Sequence, residues 1–348
     1  MSSLVLNSRQ AYILNKLVEA YIRHDQPISS LYLTENYDLG CSSATVRSVF
    51  KFLDENGYVY APHRSAGRIP TEKAYRHYVD HFESLPQPND QDQKMIQAEY
   101  LRHGLRIFEI LETTSRVLSS LTDTVAITLG PAPEKSILKH IELIDMGQDE
   151  ILIIIVNRSG TVYSRTVYTN ERIAAEYLQQ TTRFLNEYFK GMDLAEMHAS
   201  LINVTAARQN LNRYVPVIGK LIYDNFDAVK GEGQVIIHGL DNLFSRMAQS
   251  DYARDRLREL GHYLESRDFV QHLFLDRTTD GSCQIVIEGD FDERLQGISI
   301  VTARYKMGEK SVGGIGVIGP NRMDYLRTVS LVEYTRHIIS NMITRLTN

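Results

Sequence analysis

Three helix-length stretches separated by turn residues open the chain, and this order constrains the fold more than any other feature of the sequence. Apolar residues recur with helical spacing in residues 8–24, which predicts a helix with one buried face. Pro27 ends that pattern, and serines just after it can cap a short second helix that ends near Asn36. A third helix is predicted from Ser42 to Asn56, because serine caps precede apolar residues at helical spacing.

A β-prone segment and a basic loop follow the third helix. Gly57 stops the helix, residues 58–60 favour a strand, and residues 62–70 form a loop rich in His, Arg, Ser and Gly. A further helix opens at Thr71. Three helices followed by a strand and a loop are the order of a winged helix-turn-helix, in which the loop is the wing. We therefore assign residues 1–84 to a winged-helix DNA-binding domain.

The rest of the chain alternates between helical and strand-like patterns. Residues 85–93 contain two prolines and are predicted to be a linker. One long amphipathic helix, with a stripe that includes Leu101 and Phe108, is expected to follow. Alternating apolar residues then predict strands between residues 137 and 168.

Strands return after Cys283, beyond about ninety largely helical residues, and a helix closes the chain. This pattern predicts one α+β domain whose sheet is interrupted by an inserted, mainly helical domain. The first part of the α+β domain is expected at residues 94–182, the insertion at 183–264 and the second part at 265–348. The predicted fold class is therefore multidomain, α and α+β.

The net charge of −5 is unevenly distributed along the chain. Residues 1–82 carry nine Lys/Arg and eight Asp/Glu, a net charge of +1, whereas the remainder carries 29 and 35, a net charge of −6. Between Tyr60 and Tyr78 the basic residues outnumber the acidic ones, as phosphate binding requires. These basic residues are Arg64, Arg68, Lys73 and Arg76.

Cysteine usage and hydropathy indicate a cytoplasmic protein. Cys41 and Cys283 are far apart and match neither a disulfide framework nor a zinc motif. Residues 1–6 are too short for a signal peptide, and the longest apolar run, residues 151–156, cannot span a bilayer. We therefore expect no contact with a membrane.

The exposed face of the third helix carries side chains suited to a DNA groove. Short hydroxyls allow close approach, Arg47 can grip guanine or phosphate with its planar fork, and Lys51 can reach phosphate. The candidate DNA contacts of this helix are Ser42, Ser43, Thr45, Arg47, Ser48 and Lys51, and those of the loop are His63, Arg64, Ser65, Gly67 and Arg68. Gly67 is expected to permit a tight loop tip, and Arg68 to contact the DNA backbone or minor groove. The pattern alone also fits a small helical domain with a solvated charged face.

Three strings, two in the first domain and one near the C-terminus, carry a family resemblance. The string CSSATVRSVFKFLDENGYV contains a Ser-Ala-Thr-Val-Arg run from Ser43 to Arg47, and APHRSAGRIPTEKAYRHYVD follows it. GPNRMDY, from Gly319 to Tyr325, lies near the C-terminus. Together they resemble the HrcA family of heat-inducible transcription repressors over essentially the whole chain. Ser48, Phe50 and Arg64 depart from the family pattern. Ser48 and Arg64 are expected to be exposed, so the resemblance leaves open which DNA bases this chain prefers.

The resemblance implies a repressor of chaperone operons that binds an inverted-repeat operator as a homodimer. It also implies that the α+β domain is GAF-like and that the inserted domain serves dimerisation. Family members are regarded as clients of the chaperonin whose genes they repress, so activity is expected to depend on the chaperonin and to fail on heating.

Other motifs are set aside on physical grounds. The glycines of residues 314–319 satisfy G-x-G-x-x-G but lie within a strand pattern, where no helix opens for a dinucleotide. His77 and His81 have helical spacing but lack a third metal ligand. No nucleophile elbow or phosphate loop is evident, so we expect neither an enzyme nor a bound cofactor or metal.

A transcription factor gated by a metabolite is the alternative function, because GAF-like domains often hold small ligands. Such a site needs a cavity in the α+β domain lined by convergent polar groups. Arg165, Arg304 and Tyr305 are the polar residues that the predicted strands offer. A third class, an enzyme with an accessory DNA-binding domain, lacks a catalytic constellation.

Overall fold

A computed structural model gives the fold of the 348-residue chain as a mixed arrangement of helices and several β-sheets. It describes residues 6–63, 66–82, 86–102, 106–131, 137–158, 160–170, 172–206, 213–225, 235–242, 261, 263–264, 266–271, 273–274, 283–287, 297–308 and 310–347.

Residues 6–82 form an N-terminal unit built around three helices. Its elements are α1 (Ser8–His24), α2 (Ser30–Asn36), α3 (Ser43–Glu55), β1 (Val59–Tyr60), β2 (Ile69–Pro70) and α4 (Glu72–Asp80). The side chains of Asn7, Ser29 and Ser42 accept hydrogen bonds from backbone N–H groups in the first turns of α1, α2 and α3. These caps satisfy donors that the helices leave unpaired, and therefore fix where each helix begins.

A small antiparallel hairpin closes the N-terminal unit. Strands β1 and β2 pair with each other, and an isolated bridge joins Arg68 to Ile28, between α1 and α2. The three helices, β1 and the final helix thus follow one another in the order that the sequence predicts, whereas β2 lies at the end of the predicted loop.

The prediction of one long helix after the linker is wrong, and so is part of the apolar stripe predicted for it. Two helices, α5 (Asp90–Arg102) and α6 (Ile107–Thr122), take its place. Leu101 is 87% exposed and Phe108 is 49% exposed, so neither belongs to a buried stripe. Helix α5 begins within the expected linker, because Asn89 Oδ1 accepts a hydrogen bond from the backbone N–H of Asp92 at 2.9 Å and caps the first turn.

A five-stranded antiparallel sheet lies at the centre of a second unit, which we call the body. Its strands are β3 (Val125–Leu129), β7 (Val235–His238), β8 (Gln284–Ile287), β9 (Ile298–Met307) and β10 (Lys310–Pro320), in the order β7-β3-β10-β9-β8. Helices α6 and α11 (Tyr325–Thr347) pack on one face, and the segment with α10 (Arg267–Gln271) and Phe274 packs on the other. Among the described helices, none is long and apolar enough to cross a membrane.

A separate three-stranded sheet lies between β3 and β7 in the chain. Strands β4 (Leu138–Gly147), β5 (Glu150–Asn157) and β6 (Val162–Tyr168) pair in that order and pack on α7 (Ala175–Tyr188), α8 (Leu194–Ala206) and α9 (Tyr214–Asn225). These elements have their own core, and we call residues 137–225 the inserted unit. The prediction that the strands of residues 137–168 belong to the same sheet as those after Cys283 is therefore wrong, because among the described strands β4–β6 pair only with one another and β7 pairs with β3.

The glycine-bearing segment of residues 314–319 lies inside β10, between β3 and β9. A Cβ at Gly316 would overlap the backbone of the neighbouring strand and lie 2.7 Å from the Phe274 ring. The glycine therefore permits close packing within the sheet, as the strand pattern predicts.

The polar residues proposed for a metabolite site do not converge. Arg165 lies on β6 of the inserted unit, whereas Arg304 and Tyr305 are adjacent on β9 of the body. Adjacent strand residues point to opposite faces of a sheet. Tyr305 is also fully buried and donates to the backbone oxygen of Leu129 at 2.8 Å.

Candidate nucleic-acid interface

Helix α3 presents a polar face to solvent. Val46, Phe50 and Leu53 are buried against the other helices, as the sequence predicts. The opposite side exposes Arg47, Ser48 and Lys51, with Thr45 half-buried beside them. A helix with small hydroxyls and flexible cations on one face can enter a groove of double-stranded DNA.

Arg47 is held at one edge of this face by α2. Its Nε donates to Ser30 Oγ at 3.3 Å, and Ser30 Oγ in turn lies 2.9 Å from Ser43 Oγ. These contacts tie the first turn of α3 to the first turn of α2. They also orient the guanidinium through Nε, a placement that suits bidentate contact by the terminal nitrogens.

The structure places Arg68 at the root of the hairpin rather than on a free surface. Its backbone exchanges hydrogen bonds with Ile28 at 2.8 and 2.9 Å. Its Nε lies 3.1 Å from Asp54 Oδ2 of α3, and only 22% of the side chain is exposed. Arg68 therefore links the hairpin to α3.

Gly67 lies in close contact with the segment between α1 and α2. A Cβ there would overlap the backbone of Ile28 and lie 2.6 Å from the carbonyl carbon of Pro27. The residue lies where two backbone segments approach closely, so the glycine permits packing at the hairpin root.

Most of the predicted basic strip makes contacts inside the protein. Lys73 Nζ donates to the backbone oxygen of Asn56 at 3.0 Å and lies 4.3 Å from the centre of the Tyr58 ring, so it stabilises the C-terminus of α3. Arg76 bonds Glu72 and the backbone oxygen of Ile287. Within the loop, His63 is exposed, whereas Arg64 and Ser65 lie outside the described residues.

Sequence reasoning missed a groove between α1 and α3. It has a volume of about 510 Å³ and is lined by Asn7, Ser8, Arg9, Gln10, Thr45, Ser48, Val49 and Phe52. Arg9 is exposed, and no ion pair joins it to another described residue. The groove continues the polar face of α3, so Arg9 is the further cation that this surface can offer to a phosphate. The position of Arg9 in the sequence does not indicate that it lies beside α3, because only tertiary packing brings the first turn of α1 to α3.

The His77–His81 pair stacks instead of chelating. The two rings are 4.1 Å apart and 17° from parallel, and His81 Nδ1 lies 2.8 Å from the backbone oxygen of His77. Burial, and then the proximity of His81, lower the pKa of His77 below its usual value. Among the described residues there is no group of three or more His, Cys, Asp or Glu side chains that could hold a metal.

Comparison with known proteins defines the class of the chain. A curated protein from Leptospira biflexa serovar Patoc is 36% identical over 345 residues, which cover 98% of this chain and 99% of the relative. One from Geobacter sulfurreducens is 31% identical over 341 residues, covering 97% and 98%. Both are described as heat-inducible transcription repressor HrcA. The class is therefore that of transcription repressors of the heat-shock response, and not of enzymes, as expected.

The family model described as "HrcA protein C terminal domain" matches residues 109–329. The chain belongs to the HrcA family of heat-inducible transcription repressors. A crystal structure described as a hypothetical protein at 2.2 Å resolution has a TM-score of 0.60 and 23% identity and covers 98% of both chains. The fold is thus shared over nearly the full length.

Proposed function

We propose that the N-terminal unit is a winged helix-turn-helix that places α3 in the major groove of DNA. The whole chain then represses chaperone operons by binding an inverted-repeat operator. The observation that carries this proposal is the exposed polar face of α3, which runs into the groove beside Arg9. Arg47 supplies base or phosphate contact, and Thr45 and Ser48 allow close approach.

Selection of bound sequences from random duplexes tests this proposal with the full chain. Recovery of a two-fold symmetric consensus supports it. The double variant Thr45→Ala/Arg47→Ala should lose the consensus, whereas Lys94→Ala, which removes an exposed cation from α5, should keep it. Recovery of unrelated sequences by the unaltered chain would overturn the proposal.

The inserted unit supplies the homodimer contact in this proposal. The pairing of β7 with β3 supports bounds of 137–225 for this unit in place of 183–264. The outer face of its sheet carries half-buried apolar residues of β5 and exposed residues at its edges. They are Leu152, Ile154 and Val156, with Ile144 at 40% exposure and Val162 at 59% exposure. An apolar face of this kind suits a self-complementary two-fold interface, which matches an inverted repeat.

Light scattering tests whether the outer face of this sheet forms the homodimer contact. Ile144→Lys/Val162→Lys should give monomers, because two buried charges per copy would oppose each other across a two-fold interface. Tyr177→Lys adds a charge to an exposed residue of α7 and serves as the matched control. Monomers from the control and dimers from the sheet variant would contradict the placement.

The remaining part of the proposal concerns regulation in the cytoplasm. The body, which we assign as GAF-like, is built from segments on both sides of the inserted unit. Such long-range pairing slows folding and prolongs exposure of apolar surface, which a chaperonin binds. Heat would occupy the chaperonin with other unfolded chains, and repression would fail.

Refolding of the purified chain with and without chaperonin and ATP tests this regulation. The fraction able to bind the operator should increase with the chaperonin. Equal recovery, together with a small metabolite that controls release from DNA, would favour the metabolite-gated alternative.

A further inference from the structure

The GPNRMDY segment joins the N-terminal unit to the body. Arg322 lies in the corner between β10 and α11, and it reaches the C-terminal end of α1 in the N-terminal unit. Its Nε lies 3.0 Å from Asp25 Oδ1, and its Nη1 donates to the backbone oxygen of Ile22 at 3.2 Å. One planar guanidinium therefore contacts two acceptors on the same helix end, which fixes direction as well as distance.

Asp25 is fixed in turn by the backbone of α1. It is the C-terminal cap of the helix, with φ of 55° in the left-handed region, and its N–H donates to the oxygen of Tyr21 at 3.0 Å. The carboxylate that receives Arg322 therefore sits on a rigid helix end. The cation also lies at the end of the helix where backbone carbonyls concentrate negative charge.

Two further contacts join the N-terminal unit to the body. The rings of Tyr75 on α4 and Tyr325 on α11 are 6.0 Å apart, and both residues are buried. Tyr325 is held by donation from its hydroxyl to the backbone oxygen of Asn321 at 2.6 Å. Arg76 donates to the oxygen of Ile287 at the end of β8.

Beyond these contacts the two units diverge around a cleft. The cleft has a volume of about 380 Å³, and its lining includes Glu19 and Arg23 of α1 and Asp324 and Arg327 near the start of α11. The N-terminal unit thus shares an apolar core with the body and faces an open cleft on one side. Apolar packing is non-directional, so a directional contact beside it can fix the angle between the units.

We propose that Arg322 sets the angle of the N-terminal unit on the body, and thereby determines which spacing between two DNA half-sites the dimer accepts. This inference rests on the proposed function as a dimer on an inverted repeat. Inserting one base pair rotates a half-site by roughly 35° and moves it by about 3.4 Å. A rigid joint rejects that change, whereas a loose joint accommodates it. Arg322 is therefore a positioning residue for DNA specificity and does not itself contact DNA.

The DNA test measures affinity of the full chain for a single half-site and for inverted repeats whose spacers differ by one base pair. In the unaltered chain we expect a preference of at least about tenfold for one spacing, the scale of one altered base pair. Arg322→Ala and Asp25→Asn should reduce this preference at least about threefold while half-site affinity stays within about twofold, because ion pairs fix register more than affinity. Asparagine tolerates the left-handed conformation, so Asp25→Asn removes charge without backbone strain. Arg322→Lys keeps the charge but lacks the fork, and should restore the preference only in part.

A second measurement needs no DNA. Spin labels at Lys51→Cys on α3 and Arg345→Cys on α11, in a Cys41→Ser/Cys283→Ala background and diluted with unlabelled chain, report the distance between the units. The distribution should be narrow in the parent and at least about twice as broad in the Arg322→Ala variant, with unchanged thermal unfolding, since half-exposed ion pairs contribute little stability. An equally narrow distribution in the variant overturns the inference even if DNA binding is confirmed. Failure of the unaltered chain to bind any duplex would contradict the proposed function and the role in half-site spacing, whereas the distance measurement would still decide whether Arg322 sets the angle between the units.

Discussion

Arg68 Nε lies 3.1 Å from Asp54 Oδ2, so an ion pair ties the root of the hairpin to the last turn of α3. A residue in this position controls where the loop stands relative to the helix proposed to read DNA. The sequence predicts that Arg68 contacts the DNA backbone, and the two roles differ in what they do to the salt dependence of binding.

The first prediction separates these roles. Arg68→Ala and Asp54→Ala should each lower the free energy of unfolding by about 1 kcal/mol or less, and the double variant should lose less than the sum. The slope of log affinity against log salt concentration should stay within error of the parent, because no phosphate contact is removed. A slope reduced by about one unit in Arg68→Ala alone would instead assign Arg68 to a phosphate.

Local signals in the sequence were sufficient to predict the N-terminal helices. Ser42 precedes a run in which Val46, Phe50 and Leu53 recur at helical spacing, and cap and stripe together fix the bounds of α3. The exposed residues of that helix follow from the same spacing. The partner of Arg68 could not be predicted, because Asp54 reaches it only through tertiary packing.

Non-local pairing explains the rest of the differences. Residues 125–129 follow α6 directly and are buried on both faces, so they lack the alternation that marks a strand. Since β3 was missed, the strands of residues 138–168 were assigned to the same sheet as β9 and β10. Spacing along the chain cannot distinguish one interrupted sheet from two sheets with separate cores.

The second prediction concerns Arg47 as a base contact. Arg47→Ala should cost about 1–3 kcal/mol of binding to the selected sequence and relax the preference at one base position. Ser30→Ala, which removes the acceptor for Nε, should cost less and keep the same preferred base. Lys51→Ala is the control, because an equal loss for all sequences is expected from this exposed cation. A uniform loss from Arg47→Ala would place the guanidinium on a phosphate.

The third prediction concerns Arg9 in the groove beside α3. Arg9→Ala should weaken binding to all duplexes alike and lower the slope against log salt by about 0.9, the change for one lost phosphate contact. Arg23→Ala removes an exposed cation from the other end of α1, beside the interdomain cleft, and should leave the slope unchanged. Equal slopes for both variants and the parent would show that the groove is not part of the DNA interface.

The fourth prediction concerns acid stability of the N-terminal unit. Burial lowers the pKa of His77 in the folded protein, so the unfolded chain binds the proton more readily. The free energy of unfolding should therefore fall as pH decreases from about 6.5 through the lower folded pKa. His77→Gln should reduce this dependence in thermal unfolding measured between about pH 5 and pH 8. His63→Gln alters an exposed histidine and is the control; the same change from both variants would exclude His77 as the source.

The fifth prediction concerns the close backbone contact at Gly67. A methyl group in Gly67→Ala would overlap the backbone of Ile28, so the hairpin root must move away from the segment between α1 and α2. Overpacking of this kind typically costs about 1–3 kcal/mol, and urea unfolding should show a loss in that range. The two hydrogen bonds between Ile28 and Arg68 should weaken, which amide exchange of both N–H groups would report. Ala66→Gly changes flexibility in the same loop without approaching Ile28, and it should cost less than about 1 kcal/mol. If Gly67→Ala leaves both stability and exchange at the parent values, the backbone contact with Ile28 does not constrain the hairpin root.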